Sequence, residues 1–109
     1  MPLRYLSLLL LTALVVGCAA KTYPSVSMDA AKAVKSGTPL DEVVKTLGEP
    51  HAPTSKQASS LNEVISKMPE PMRTNAKNDK SLAWGDDKDF LAVKVNDKGV
   101  VWVTTWASN

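Results

Sequence analysis

Cys18 is the single cysteine of the chain, and its neighbours give its thiol a task. It follows Val15, Val16 and Gly17, a branched apolar residue and then two small or apolar ones. That is the order of a lipobox. The thiol takes a diacylglycerol, and the small Gly17 lets a signal peptidase reach the bond before the cysteine. Residues 6–16 are apolar except for Ser7 and Thr12, behind a short stretch that carries Arg4. Such a run fits the about 7–15 residues of a secretory signal core and falls short of the about 20 that a spanning helix needs. The pattern predicts a lipoprotein signal peptide over residues 1–17 and a covalent lipid on Cys18. The predicted result is a membrane-anchored protein, because two or more acyl chains hold a protein stably where one does not.

The other residue types with chemical capability lack partners. His51 is the only histidine, and with Cys18 assigned to lipid there is no His/Cys constellation for a metal. Asp86, Asp87 and Asp89 make an acidic turn beside Gly85, without the 12-residue ligand pattern of a calcium loop. Ser55, Ser59 and Ser60 sit in no nucleophile elbow, and no glycine-rich phosphate loop occurs. The expectation is a protein that is not an enzyme and that takes no metal, no cofactor beyond the lipid and no small-molecule substrate. Net charge is +2 with charges of both signs mixed along the chain. That is no nucleic-acid footprint, which would need a basic patch or stripe. A mature exported chain without further cysteines forms no internal disulfide, so packing must hold it together.

The elements that do the packing are legible in outline. Residues 18–27 read as a lipidated tether and residues 28–109 as the folded domain. Met28, Ala31 and Val34 form a narrow apolar stripe of one helix, with Gly37 placed as its C-cap. Thr38, Pro39 and Asp41 read as N-cap, first helical proline and acidic third residue of a second helix. Leu40, Val43, Val44 and Leu47 line one face of that helix, which Gly48 and Pro50 end. Residues 60–63, Ser-Leu-Asn-Glu, have the form of a capping box. They open a third short amphipathic stretch of Leu61, Val64, Ile65 and Met68, stopped by Pro69 and Pro71. Residues 72–80 read as polar and mobile.

After that the period changes to two. Residues 81–84 predict a strand, and residues 90–95 a clear one, with Leu91, Val93 and Val95 on one side and Ala92 and Lys94 on the other. Residues 96–99 predict a hairpin turn with Gly99 at its positive-φ position, and residues 100–107 the last strand. The predicted fold is α+β. Two short N-terminal helices, with room for the third, pack on a three-stranded antiparallel β-meander.

Residues 36–43, the Leu47-Gly48-Glu49-Pro50 exit, Trp84-Gly85, residues 91–95 and residues 97–100 together resemble the SmpA/OmlA (BamE-like) small outer-membrane lipoproteins. The stretch between residues 50 and 80 is longer than that family's pattern, and Asp86 stands where a second aromatic is often found. The resemblance implies attachment to the outer membrane at its periplasmic face, in keeping with Ala19 rather than Asp after the cysteine. It also implies a non-catalytic adaptor in the assembly of outer-membrane β-barrel proteins, with barrel-assembly subunits as partners. A second class stays open: a periplasmic inhibitor or immunity-type lipoprotein that binds an enzyme or toxin.

The three tryptophans fall in the predicted sheet. By strict alternation Trp102 and Trp106 share a face, opposite Val101 and Val103. Two helices cover only one face of a sheet, so the other is expected to stay apolar and open, which marks a partner site. The expected contact residues are Trp102, Trp106 and Phe90, with Asp86 and Asp87 as a charged rim.

Overall fold

The computed structural model describes residues 23–108. Cys18, with Val15, Val16 and Gly17 before it, lies outside the described residues. Among those described, helices α1 (Met28–Ala33), α2 (Leu40–Leu47), α3 (Ser55–Ser66) and α4 (Met72–Asn78) accompany strands β1 (Thr38–Pro39), β2 (Lys80–Gly85), β3 (Phe90–Val95) and β4 (Val100–Ala107). The architecture is α+β. The four strands form one antiparallel sheet in the order β1-β4-β3-β2.

The first two helices behave as their apolar stripes dictate. Val34, Leu40, Val44 and Leu47 pack with buried Ala31 and Val43 on Leu82, Trp84, Leu91, Val93, Val95 and Val101, one face of the sheet. Their joint differs from the expected corner. Thr38 and Pro39 pair with Val101 and Val100 as a short fourth strand. Gly37 is therefore no C-cap: α1 ends at Ala33 with Val34 as cap, and the Gly37 N–H donates to the Val101 carbonyl at 2.7 Å. Nor does Thr38 cap α2. Pro39 is the N-cap, without a side-chain bond, and the Thr38 hydroxyl donates back to the Lys35 carbonyl at 2.7 Å. Strand pairing decided the contest for Thr38, because it lies opposite Val101 between the Gly37 and Leu40 N–H groups, which donate to the Val101 and Gly99 carbonyls.

The segment between residues 50 and 80 is the larger departure. It folds into α3 and α4 and covers the second face of the sheet. Leu61, Ile65 and Ala76 pack there on Ala83, Phe90, Ala92 and Val103, with Val64, Met68 and Trp102 at the margin. Helix α3 starts at Ser55, not at Ser60. Its capping box is Thr54 with Gln57: the Gln57 N–H reaches the Thr54 hydroxyl and the Gln57 side chain accepts from the Thr54 N–H. The stretch expected to be mobile contains α4, with Ala76 fully buried. The sheet is thus a middle layer with helices on both sides, and its second apolar face is not open.

The β-hairpin from β3 to β4 forms as its sequence predicts. Gly99 takes φ +77°, and the Asn96 carboxamide oxygen accepts from the N–H groups of Lys98 (2.9 Å) and Val100 (3.1 Å). Beyond the turn the register slips. Val95 pairs with Val101 but Lys94 with Val103, so Trp102 is an extra residue in a β-bulge. A bulge of one residue reverses the facing of everything after it.

Candidate functional site

That reversal separates the two tryptophans. Trp106 pairs with Leu91 and stands on the face of α1 and α2, while Trp102 joins the cluster under α3 and α4. Val101 and Val103 are likewise on opposite faces. The shared face expected from alternation does not exist, because the bulge removes its period.

Among the described residues Trp106 is the exposed aromatic, with 48% of its surface open. The Lys32 ammonium from α1 lies 4.5 Å from its ring centroid, a cation–π contact that sets the ring's orientation. Beside it runs a sheet edge. β1 pairs with β4 only at Val100 and Val101, so among the described residues no strand lies against the outer edge of β4 from Trp102 to Ala107. The opposite edge is closed at its centre, where His51 exchanges both backbone bonds with Ala83 at 2.8 and 2.9 Å.

Of the other residues expected at a partner surface, Phe90 lies in the core, while Asp86 and Asp87 stay at the surface and bond within the fold. Phe90 is completely buried among Leu61, Ile65 and Ala92, so its ring is core. The Asp86 carboxylate accepts from the backbone N–H groups of Asp89 (2.8 Å) and Lys88 (2.9 Å). Those two bonds hold its carboxyl below the usual carboxylate range. Asp87 accepts from the Thr54 hydroxyl at 2.6 Å, tying the turn to the start of α3.

Behind this turn sits a polar node. Gln57 is fully buried, and its amide donates to the carbonyls of Gly85 (3.1 Å) and Asp86 (3.0 Å). His51 stacks on Tyr23 at 3.6 Å between centroids, and its ring nitrogens face the carbonyls of Ala52 (2.7 Å) and Gly85 (2.9 Å). Trp84 adds a third tie from its indole N–H to the Gly48 carbonyl at 2.7 Å. No cluster of three metal-ligating side chains occurs among the described residues, and no helix among them is long and apolar enough to cross a membrane.

Trp102 is half-buried, and its indole N–H donates to the Asp79 carboxylate at 2.7 Å. Lys94, only 7% exposed, points to the same corner, its ammonium donating to the Asp79 carbonyl at 3.2 Å. Burial pushes the Lys94 pKa down, against a smaller upward pull from the Asp79 carboxylate. Gln57 and the Asp79–Trp102–Lys94 corner went unseen in the sequence. For Gln57 the signal was there, in the Thr-x-x-Gln spacing at 54–57 just after Pro53. For the corner there was none, since it joins residues from α4's end, β3 and β4.

No family model, no curated protein and no solved structure matches the chain.

Proposed function

We propose that the protein is a lipid-anchored, non-catalytic adaptor of the outer membrane's periplasmic face. It docks on a subunit of the β-barrel assembly machinery, and the contact is strand addition to the outer edge of β4. The observation that carries this reading is that edge, unpaired by any described strand beyond Val101 and flanked by the half-exposed ring of Trp106. An exposed row of backbone donors and acceptors is a template for a partner's extended segment, and an adjacent aromatic supplies the anchor. The signal-like segment and Cys18 support the anchoring, and the resemblance in residues 33–101 supports the choice of partner.

The test is site-specific photocrosslinking in cells from Thr105 and Trp106, with Lys67 on the far side of the sheet as control. Adducts with barrel-assembly subunits from the two β4 positions, absent at Lys67 and lost in Cys18→Ala, are the expected result. Adducts confined to a soluble enzyme, persisting in Cys18→Ala, would replace this reading with the inhibitor one.

A further inference from the structure

A groove of about 500 Å³ runs between α4 and the β3–β4 turn, away from the Trp106 end of β4. From α4 it is lined by Met72, Asn75 and Asn78, from the turn by Asn96 and Asp97, and between them by Asp79 and Trp102. We propose that it binds an uncharged saccharide chain bearing N-acetylamino groups.

The lining decides the class of ligand. It contains no lysine or arginine, so nothing there compensates a phosphate or carboxylate. The Asp79 carboxylate already accepts the Trp102 N–H, and the Lys94 ammonium is held against the same residue. Lys94 thus stands beside the Asp79 charge, and the one further carboxylate, Asp97, completes no group of three metal ligands among the described residues. What the groove offers instead is planar hydrogen-bonding groups. Asn75 and Asn78 are exposed and lie three apart on one face of α4, and their side-chain carboxamides make no hydrogen bond to the described residues. Asn96 has its carboxamide oxygen occupied by the turn, which leaves its NH2 as the group to offer. Carboxamides can donate and accept at once, as hydroxyl and acetamido groups require.

The apolar part is preset. The bond to Asp79 holds the half-buried Trp102 indole in the groove wall, where the part of it that lines the groove offers an apolar surface to the C–H groups of a pyranose at little entropic cost. Met72, 44% exposed at the groove's side, is an apolar contact suited to an acetyl methyl. Pockets of this volume, with few oriented polar groups around an aromatic, are the usual form of small-ligand sites. This site does not depend on the docking edge of β4, and either can fail alone.

The test uses the full-length protein in detergent micelles and two tetrasaccharides, chitotetraose and maltotetraose, followed by NMR of the indole and carboxamide N–H groups. Chitotetraose should shift the Trp102 indole resonance saturably below about 10 mM, leaving that of Trp106 in place. Asn75→Ala combined with Asn78→Ala should weaken binding about tenfold without changing the melting temperature, since both side chains are exposed. Maltotetraose, which lacks acetamido groups, should bind about tenfold more weakly. No saturable shift with chitotetraose, or wild-type affinity in the double variant, would overturn the site. Equal binding of the two sugars would overturn the N-acetylamino assignment.

Discussion

The two faces of the sheet are covered by helices in two different ways. Under α1 and α2 the buried side chains are all hydrophobic, with Trp84, Leu91, Val93 and Val95 meeting Val43 and its neighbours. Under α3 and α4 the sheet side chains are smaller, with Ala83 and Ala92 beside Phe90, and polar groups are buried with them. Gln57 fastens one end of that layer to the Gly85–Asp86 turn, and the Asp79–Trp102–Lys94 corner fastens the other. A non-directional contact tolerates sliding, whereas hydrogen bonds to fixed carbonyls set one position. Both layers carry such ties, the first from the Leu40 N–H to the Gly99 carbonyl (2.9 Å) and from the Trp84 indole to the Gly48 carbonyl (2.7 Å); what sets the second apart is that its tying side chains Gln57 and Lys94 are themselves buried.

Cutting the core on each side gives the largest effect. Leu91→Ala and Leu61→Ala should each destabilise by about 2–5 kcal/mol, measured by urea unfolding, because both side chains are essentially buried. A loss under about 1 kcal/mol for Leu61→Ala alone would show that the second layer is a detachable lid. Gly85→Ala comes next. Gly85 sits at φ +94°, and an added Cβ would collide with the Asp89 carbonyl oxygen. A loss of about 3 kcal/mol is expected from the same measurement, and a wild-type curve would contradict the tight turn that Gln57 and His51 hold.

Gln57→Ala should lose about 2 kcal/mol, since it strips a buried donor from two carbonyls and opens a small cavity. A melting curve that broadens or splits would locate the weakness in α3. Lys94→Met probes the other end through pH. The folded pKa of Lys94 is lowered from 10.5, so between the two values the unfolded chain holds more protons. Stability therefore gains as pH rises through the folded value towards 10.5. The wild type should gain on the Lys94→Met variant over that interval, and parallel curves would remove the burial effect. Trp106→Ala is the smallest in stability, at most about 0.5 kcal/mol, because the ring is half exposed. Its expected consequence is the loss of crosslinks from Thr105, which separates a docking residue from a core one.

The sequence legibly carried the apolar stripe of α2 and the strands at residues 90–95 and 100–107. It also carried the turn between those strands. Each is a local pattern whose period and punctuation, such as Asn96 and Gly99, act within a few residues. The site was less legible. The alternation of residues 100–107 places Trp106 in a strand, but its separation from Trp102 follows from a bulge that no local rule announces. Phe90 looked like an anchor because an aromatic at a strand start reads alike whether buried or exposed.

The type of each apolar segment and the α+β composition are therefore local properties, since hydrophobic period belongs to the chain alone. Which segment covers which face was settled by contacts between distant parts of the chain. Thr38 and Pro39 became a strand because β4 was there to pair with them. Residues 55–78 became a second helical layer because the Ala83, Phe90, Ala92 and Val103 face needed a cover. An amphipathic stripe states that it must be buried, and the partner that buries it is supplied by residues far away in the chain.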